Sequence, residues 1–287
     1  PARIDPDIIH PPDEEERRMA QQARRAGDQR TLDRLVAERL ARLAKDRQQM
    51  YTLQHWWLSR MIATPRPLQA QLTVLWHGHF ASQHRKVRDS YLMHQQNEMF
   101  RRNAAGNFID LASGIIRDPA MIIFLDNQQN RKKQPNENLA RELMELFTLG
   151  EGNYTEDDIK EGARALTGYT YHDNEFIFRK GQHDQGTKTI LGRRGTYDGD
   201  DFVRILLSRR ECADFLAFKL YKHFVADMPA GLTPEHEAAI KQLGREIYTA
   251  RYELRPVLKK LFRSRFFYDT AIMGNKIKSP VHLVVGT

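Results

Sequence analysis

The sequence predicts an all-α or nearly all-α fold, a compact multihelical domain of nine to eleven helices with a small β insert around residues 169–195. Three observations predict it. Apolar residues recur three and four apart along most of the chain. Capping and proline signals punctuate those runs. The period becomes strand-like only between 169 and 195. With 287 residues, 40% hydrophobic and 29% charged, the chain can bury a sizeable core and is unlike a disordered or fibrous sequence. No internal repeat or Gly/Ser-rich linker divides it, so one domain over 1–287 is expected.

Residues 13–47 are charged and read as a peripheral helical segment. Glu14, Glu15 and Glu16 precede Arg17, Arg18, Arg24 and Arg25, an order that suits the helix dipole. Gly27-Asp28 separates this piece from a second helix carried by Leu32, Leu35, Val36, Leu40 and Leu43. A third helix, from Gln49 to Met61, is anchored by Leu53, Trp56 and Trp57 and stops at Thr64-Pro65, because residues before proline avoid helical geometry. Leu68 to Gln83 reads as buried, with Leu72, Leu75, Trp76, His79 and Phe80 on one face. Tyr91–Phe100, Asn107–Ile116 and a short Ala120–Leu125 come next. Asp126 to Pro135 is polar and reads as an exposed loop.

Asn136 to Leu149 reads as a helix capped by Asn136 and ended by Gly150. Leu139, Ala140, Leu143, Met144, Leu146 and Phe147 fill one side, and Asn138, Arg141, Glu142 and Glu145 the other. Thr155 and Asp158 form a capping box for the next helix, which ends at Gly168. Tyr169–Tyr171 and Phe176–Phe178 read as strands about an Asp173-Asn174 turn, with a third strand at Thr187–Leu191. Helices resume at Phe202–Leu207, Cys212–Phe224, Pro234–Tyr248 and Leu254–Phe262. The final Val281-His282-Leu283-Val284-Val285 reads as an element cut short, and the start at Pro1 as a trimmed or mature terminus.

The net charge of +8 permits contact with nucleic acid, anionic lipid or acidic glycan without requiring any. The single cysteine, Cys212, excludes an internal disulfide and any zinc site needing two thiolates. No run of eighteen apolar residues exists, so no transmembrane helix is expected.

The stretch from Asn136 to Gly150, then Tyr154 to Ile159, then Ala163-Arg164-Ala165-Leu166-Thr167-Gly168, resembles the signature of a bacterial family catalogued as domain of unknown function 1800. Trp76 to Phe80, Asn103 to Phe108, Pro119-Ala120-Met121, His183 to Lys188 and Lys278 to Val284 agree with it. The resemblance covers about residue 50 to the end. It implies a secreted or periplasmic protein and a chain that continues past Thr287. It implies no settled activity.

Four constellations carry candidate chemistry. In the first, Glu137, Asn138, Arg141, Glu142 and Glu145 place two carboxylates and an amide on one helix face, able to bind a divalent cation or divide acid and base roles. The structural alternative is a solvent face with an Arg141–Glu145 pair, worth roughly 0.3–0.5 kcal/mol. The second is His79 between aromatics, either a neutral core histidine or a site residue. The third is His183-Asp184 with Lys188, beside the β insert. Convergence of His79, His183, Glu142 and Glu145 within about 2.0–2.3 Å of one point would make a metal site. Arg164 and Lys188 join the binding candidates through the resemblance. The fourth is a basic stripe of Arg255, Lys259 and Arg263 beside Phe262, Phe266, Phe267 and Tyr268, able to meet phosphates and stack bases, or simply a charged face over a buried one. Cys212 falls on an apolar stripe and reads as core.

The leading reading is an exported helical protein that binds a protein or polymeric partner in the bacterial envelope without catalysis. The alternative is a metal-dependent or acid–base hydrolase-like enzyme. There Glu142 or Glu145 is base or ligand, Arg141 holds an anion, and His183 donates a proton. Nucleic-acid binding through residues 255–265 is the weakest reading.

Overall fold

A computed structural model describes residues 4–10, 14–228, 231–270, 272–274 and 276–286. Pro1 and Thr287, on which the reading of the termini rests, lie outside them. The expected class holds: the chain is mostly helical, with two small antiparallel hairpins.

Helix α1, Glu14–Ala26, lies along α2, Gln29–Ala63. Asp28 caps α2 by accepting from the Thr31 amide at 3.1 Å. The two helices expected over 32–61 are this one continuous helix of 35 residues. Residues 44–49 contain no glycine or proline to break it. Asp46, at the expected gap, is buried and pins α2 to the segment 84–90. Its carboxylate accepts from the Ser90 amide at 2.6 Å and contacts His84 Nε2 at 2.7 Å. Burial alone would raise the Asp46 pKa, but the bonds from His84 and Ser90 more than offset this and hold it low.

Helix α3, Pro67–His79, is the buried one expected, and its Trp76 indole donates to the Ala104 carbonyl at 2.9 Å. A single turn, α4 (His84–Val87), leads to α5 (Ser90–Arg102), α6 (Phe108–Ile115) and α7 (Pro119–Phe124). Asp89, Asn107 and Asp118 cap α5, α6 and α7 in turn. The loop after α7 departs from expectation. Only 131–135 is exposed throughout, whereas Asn127 and Asn130 are buried. Their amides satisfy backbone carbonyls that would otherwise be orphaned: Asn127 Nδ2 donates to Tyr169 O and Asn130 Nδ2 to Ala163 O, both at 2.9 Å.

Helix α8, Asn138–Glu142, runs into a π-helical segment, Leu143–Thr148. The Leu149 amide bonds back five residues to Met144 O at 2.8 Å, and Thr148 Oγ1 to Leu143 O at 2.6 Å. The wider turn breaks the 3.6-residue period. Leu146, expected in the core, is 46% exposed, while Phe147 is buried.

Helix α9, Glu156–Ala165, opens with the expected Thr155–Asp158 capping box. Strands β1 (Tyr169–His172) and β2 (Glu175–Phe178) pair Tyr169 with Phe178 and His172 with Glu175, around Asp173 and Asn174 at positive φ. Strand β3, Lys188–Ile190, pairs with β4, Arg193–Gly195. The second strand of this hairpin went unpredicted because Arg193-Arg194-Gly195 has no apolar alternation. Helices α10 (Gly199–Leu207), α11 (Arg210–Phe224), α12 (Pro234–Thr249), α13 (Leu254–Phe262) and α14 (Pro280–Gly286) complete the described chain. Among the described residues the helices outnumber nine to eleven, in part because a single turn such as α4 is shorter than a periodicity window can register.

One hydrophobic core draws on α3, α5, α6, α8 and its π extension, α9, α10, α11, α12 and α13. A smaller cluster of Leu53, Val87, Leu92, Met93 and Ala120 lies under α2. Gly162 of α9 meets the ring of fully buried Phe202, and a Cβ there would sit 2.5 Å from Phe202 Cζ. Gly162→Ala should therefore lower stability by about 1–3 kcal/mol through overpacking. Gly181→Ala, with nothing within 4 Å of the new Cβ, should change it by no more than about 0.5 kcal/mol. Urea unfolding tracked by circular dichroism measures both, and equal midpoints would contradict the packing argument.

Candidate functional site

The signature residues meet along α9. Asp158, Glu161 and Arg164 lie three apart, so they share one face of the helix. That face addresses the edge of β3. Asp158 Oδ1 accepts from the Leu191 amide at 2.6 Å and Glu161 Oε2 from the Thr189 amide at 2.9 Å. Arg164 Nη1 donates to the Thr187 carbonyl at 3.2 Å. A helical spacing of three thus matches a strand spacing of two, and each rung satisfies a backbone group the edge strand leaves open.

Arg164 is the node. Its Nε and Nη2 fork onto Asp184 at 2.7 and 3.2 Å, and Nη1 reaches both Glu161 oxygens at 2.8 Å. The Asp184 bond, with Glu161 behind it, outweighs desolvation and holds the guanidinium charged. Asp184 is lowered by the Arg164 bond against the opposing effect of burial. Its Oδ1 also accepts from the Gly186 amide at 2.8 Å, and its own amide donates to Thr167 Oγ1 at 2.8 Å. A Cβ on Gly186 would lie 2.8 Å from Arg164 Nη2. Lys188 is buried, and its ammonium is spent on the carbonyls of Asp184 and Gly186 at 2.5 and 3.1 Å. Burial pushes its pKa down. His183 Nδ1 donates to Thr167 O at 2.9 Å. Gly168 closes the knot at φ +81°, where a Cβ would sit 2.7 Å from Arg179 O, and its amide donates to Asn130 O at 3.0 Å.

So the structure gathers Arg164, His183, Asp184 and Lys188. It sets the other candidates apart. Arg141 does not pair with Glu145. It reaches Glu137 at 3.2 Å and Glu156 at 2.7 and 2.8 Å. Glu156 and Arg164 stand at opposite ends of α9, about 12 Å apart at 1.5 Å per residue. Glu145 accepts from the Tyr154 hydroxyl at 2.6 Å. Asn138 is exposed. Glu142 has no hydrogen-bond or ion-pair partner among the described residues. Burial, and then Glu145, raise its pKa.

His79 is a core residue. Its Nε2 donates to Phe147 O at 2.9 Å, and its ring lies among Trp76, Phe80, Phe108 and Phe147. Burial drives its pKa down to about 3, so the ring is neutral. The convergence of His79, His183, Glu142 and Glu145 does not occur. Among the described residues no three His, Cys, Asp or Glu side chains are placed to hold a metal ion together. Cys212 is buried with its thiol pushed up to about 12, which leaves it no nucleophilic role.

The basic stripe is real in part. Arg255, Lys259 and Arg263 are exposed along α13 and line a shallow groove of about 310 Å³ with Leu68, Leu258 and Phe262. Lys260 is tied to Glu246 at 2.5 Å. Phe262, Phe266 and Phe267 are partly buried against the core, which leaves Tyr268 as the exposed aromatic of the stripe. No helix among the described residues is long and apolar enough to cross a membrane.

A larger opening lies elsewhere. A cleft of about 540 Å³ runs between α11, α12 and α13, floored by Tyr221, Ala239, Leu243, Val257, Leu261 and Phe266 and rimmed by Glu235, Gln242 and Glu246. The sequence reading missed it, along with Asp158 and Glu161. The only advance signal for Glu161 was its place three residues before Arg164.

Asp184 yields a pH prediction. Its folded pKa is depressed by the Arg164 bond, so its contribution is complete above the unfolded value and is lost as pH falls through the lower folded one. Asp184→Asn should cost about 1–2 kcal/mol at pH 7 and show a shallower loss of stability between about pH 5 and pH 2 than the parent. Urea melts across that range test it. Parallel curves would mean that Asp184 is not held by Arg164.

No curated protein and no solved structure matches the chain. A bacterial family model described as "Protein of unknown function (DUF1800)" matches residues 5–287, extending the resemblance through α1 and the start of α2, and the chain belongs to that family.

Proposed function

We propose that this protein works by binding rather than by catalysis, as an exported helical protein whose partner is another protein of the bacterial envelope. The observation that carries the reading is the α11–α13 cleft. Its volume lies within the range of specific ligand pockets, and its floor is almost entirely apolar. Its rim carries Glu235 and the Glu246–Lys260 pair, so its charge favours an apolar segment with basic flanks. The signature residues support the same reading. Arg164, Asp184, Glu161 and Lys188 are engaged with one another and with backbone, which leaves them little capacity to move protons.

One observation favours an enzyme instead. Glu142 is a half-buried carboxylate, unpaired among the described residues, with a raised pKa beside Glu145, the condition of a general acid. His79 and His183 take no part in that version.

Two measurements separate the readings. Ala239→Arg places a charge in the cleft floor. It should reduce the fluorescence gain of bound Nile red at least about fivefold while thermal stability stays close to the parent. A photo-crosslinker at Gln242 should give one discrete protein adduct in envelope fractions, absent with the crosslinker at Arg34. Unchanged dye binding with no adduct would overturn the binding reading. So would a hydrolase turnover that Glu142→Gln abolishes and Ala239→Arg leaves intact.

A further inference from the structure

The last turn of α11 brings His223 against His282 of α14. The two rings lie 5.7 Å apart between centroids at an interplanar angle of 65°. Both Nε2 atoms are buried, and neither has a hydrogen-bond partner among the described residues. Buried imidazole nitrogens without partners are rare, and two on facing rings call for a common explanation. We propose that His223 and His282 form a two-imidazole site for a borderline divalent transition-metal ion, of which Zn²⁺ is the representative.

Two features fit. With metal–nitrogen bonds near 2.0–2.1 Å, two imidazoles sharing one ion bring their centroids to about 5–6 Å, and the pair already stands there. The Gln71 backbone lies beside the His223 ring. A cavity of about 140 Å³, lined by Met61, Gln71, Val74, Val281 and His282, adjoins the His282 side of the pair. It gives an ion a path in and space for water in its remaining positions. The opposing charge is Lys276, which acts on both rings, and Asp227 partly neutralises it at 2.9 Å. Nitrogen donors of this kind select Zn²⁺, Cu²⁺ or Ni²⁺ over Mg²⁺ and Ca²⁺.

The ion would tie α14 to the body of the protein, so the test has both a binding and a stability readout. Zn²⁺ is titrated by calorimetry into the whole chain at pH 7.5 in a weakly coordinating buffer. One equivalent should bind, and Zn²⁺ should raise the midpoint of thermal unfolding. His282→Gln, on the short and partly exposed α14, should weaken binding at least about tenfold and remove the thermal shift. His223→Gln should do the same, and His55→Gln, at an exposed position of α2, should change neither. Absence of one-equivalent binding in the parent would overturn the proposal, as would equal affinity in His282→Gln or a matching response to Mg²⁺.

Discussion

The fold of the signature region depends on one guanidinium. Arg164 must satisfy Asp184 and Glu161 at once, and the rest of the 155–195 region is arranged around that requirement. Glu161 is oriented by Arg164 and so offers its second oxygen to the Thr189 amide. Asp184 is drawn inward, which turns the Asp184 and Gly186 carbonyls toward Lys188 and lets a lysine be buried without a carboxylate of its own. Gly186 has no side chain because Arg164 occupies that space, and Gly168 has none because Arg179 O does. The Arg164 and Asp184 side chains are 26% and 18% exposed. The pair is therefore screened less than the surface pairs elsewhere, such as Lys160–Asp157, which belongs to a class that contributes little.

This arrangement explains why those residue types occur together without invoking chemistry. A catalytic acid or base needs a proton it can give up and space for a substrate. The Arg164 knot has neither, since each of its charged groups is already bonded. His79 satisfies even fewer conditions, being neutral and enclosed by five aromatic rings. Glu142 keeps an unspent carboxylate among the described residues, and it lies outside the knot, on α8 rather than α9.

Much of the helical layout was legible because its signals are local. The Thr155–Asp158 box and the Asp173-Asn174 turn each act within four residues, and each formed as read. What failed was non-local or aperiodic. Helix α2 continues through Asp46 because a buried contact to Ser90 and His84 lies there, 38 to 44 residues away in sequence. Leu146 was misplaced because the π turn shifts the phase of every later residue. The ladder joining Asp158 to Leu191 and Glu161 to Thr189 matches a period of three to a period of two across 28 to 33 residues. No one-dimensional pattern contains it. The candidate site was legible as a set of residue types and not as a constellation, for the same reason.

The division of labour along the chain comes from these energetics. A region that satisfies all its charges internally is rigid and specific in shape, but it has nothing left with which to bind. Toward the C-terminal end, by contrast, lies unsatisfied surface. It comprises the apolar cleft of α11, α12 and α13, the exposed cations of α13, and the two unpartnered nitrogens where α11 meets α14. Each of these leaves free energy to be gained by contact with something else, and the cleft and the cations lie on elements fixed by the core that the signature region braces. The family signature is then best understood as the frame, and the binding surfaces as features mounted on it. Substitutions in the frame should act through stability, whereas those at the cleft or the histidine pair should act through binding with the fold intact.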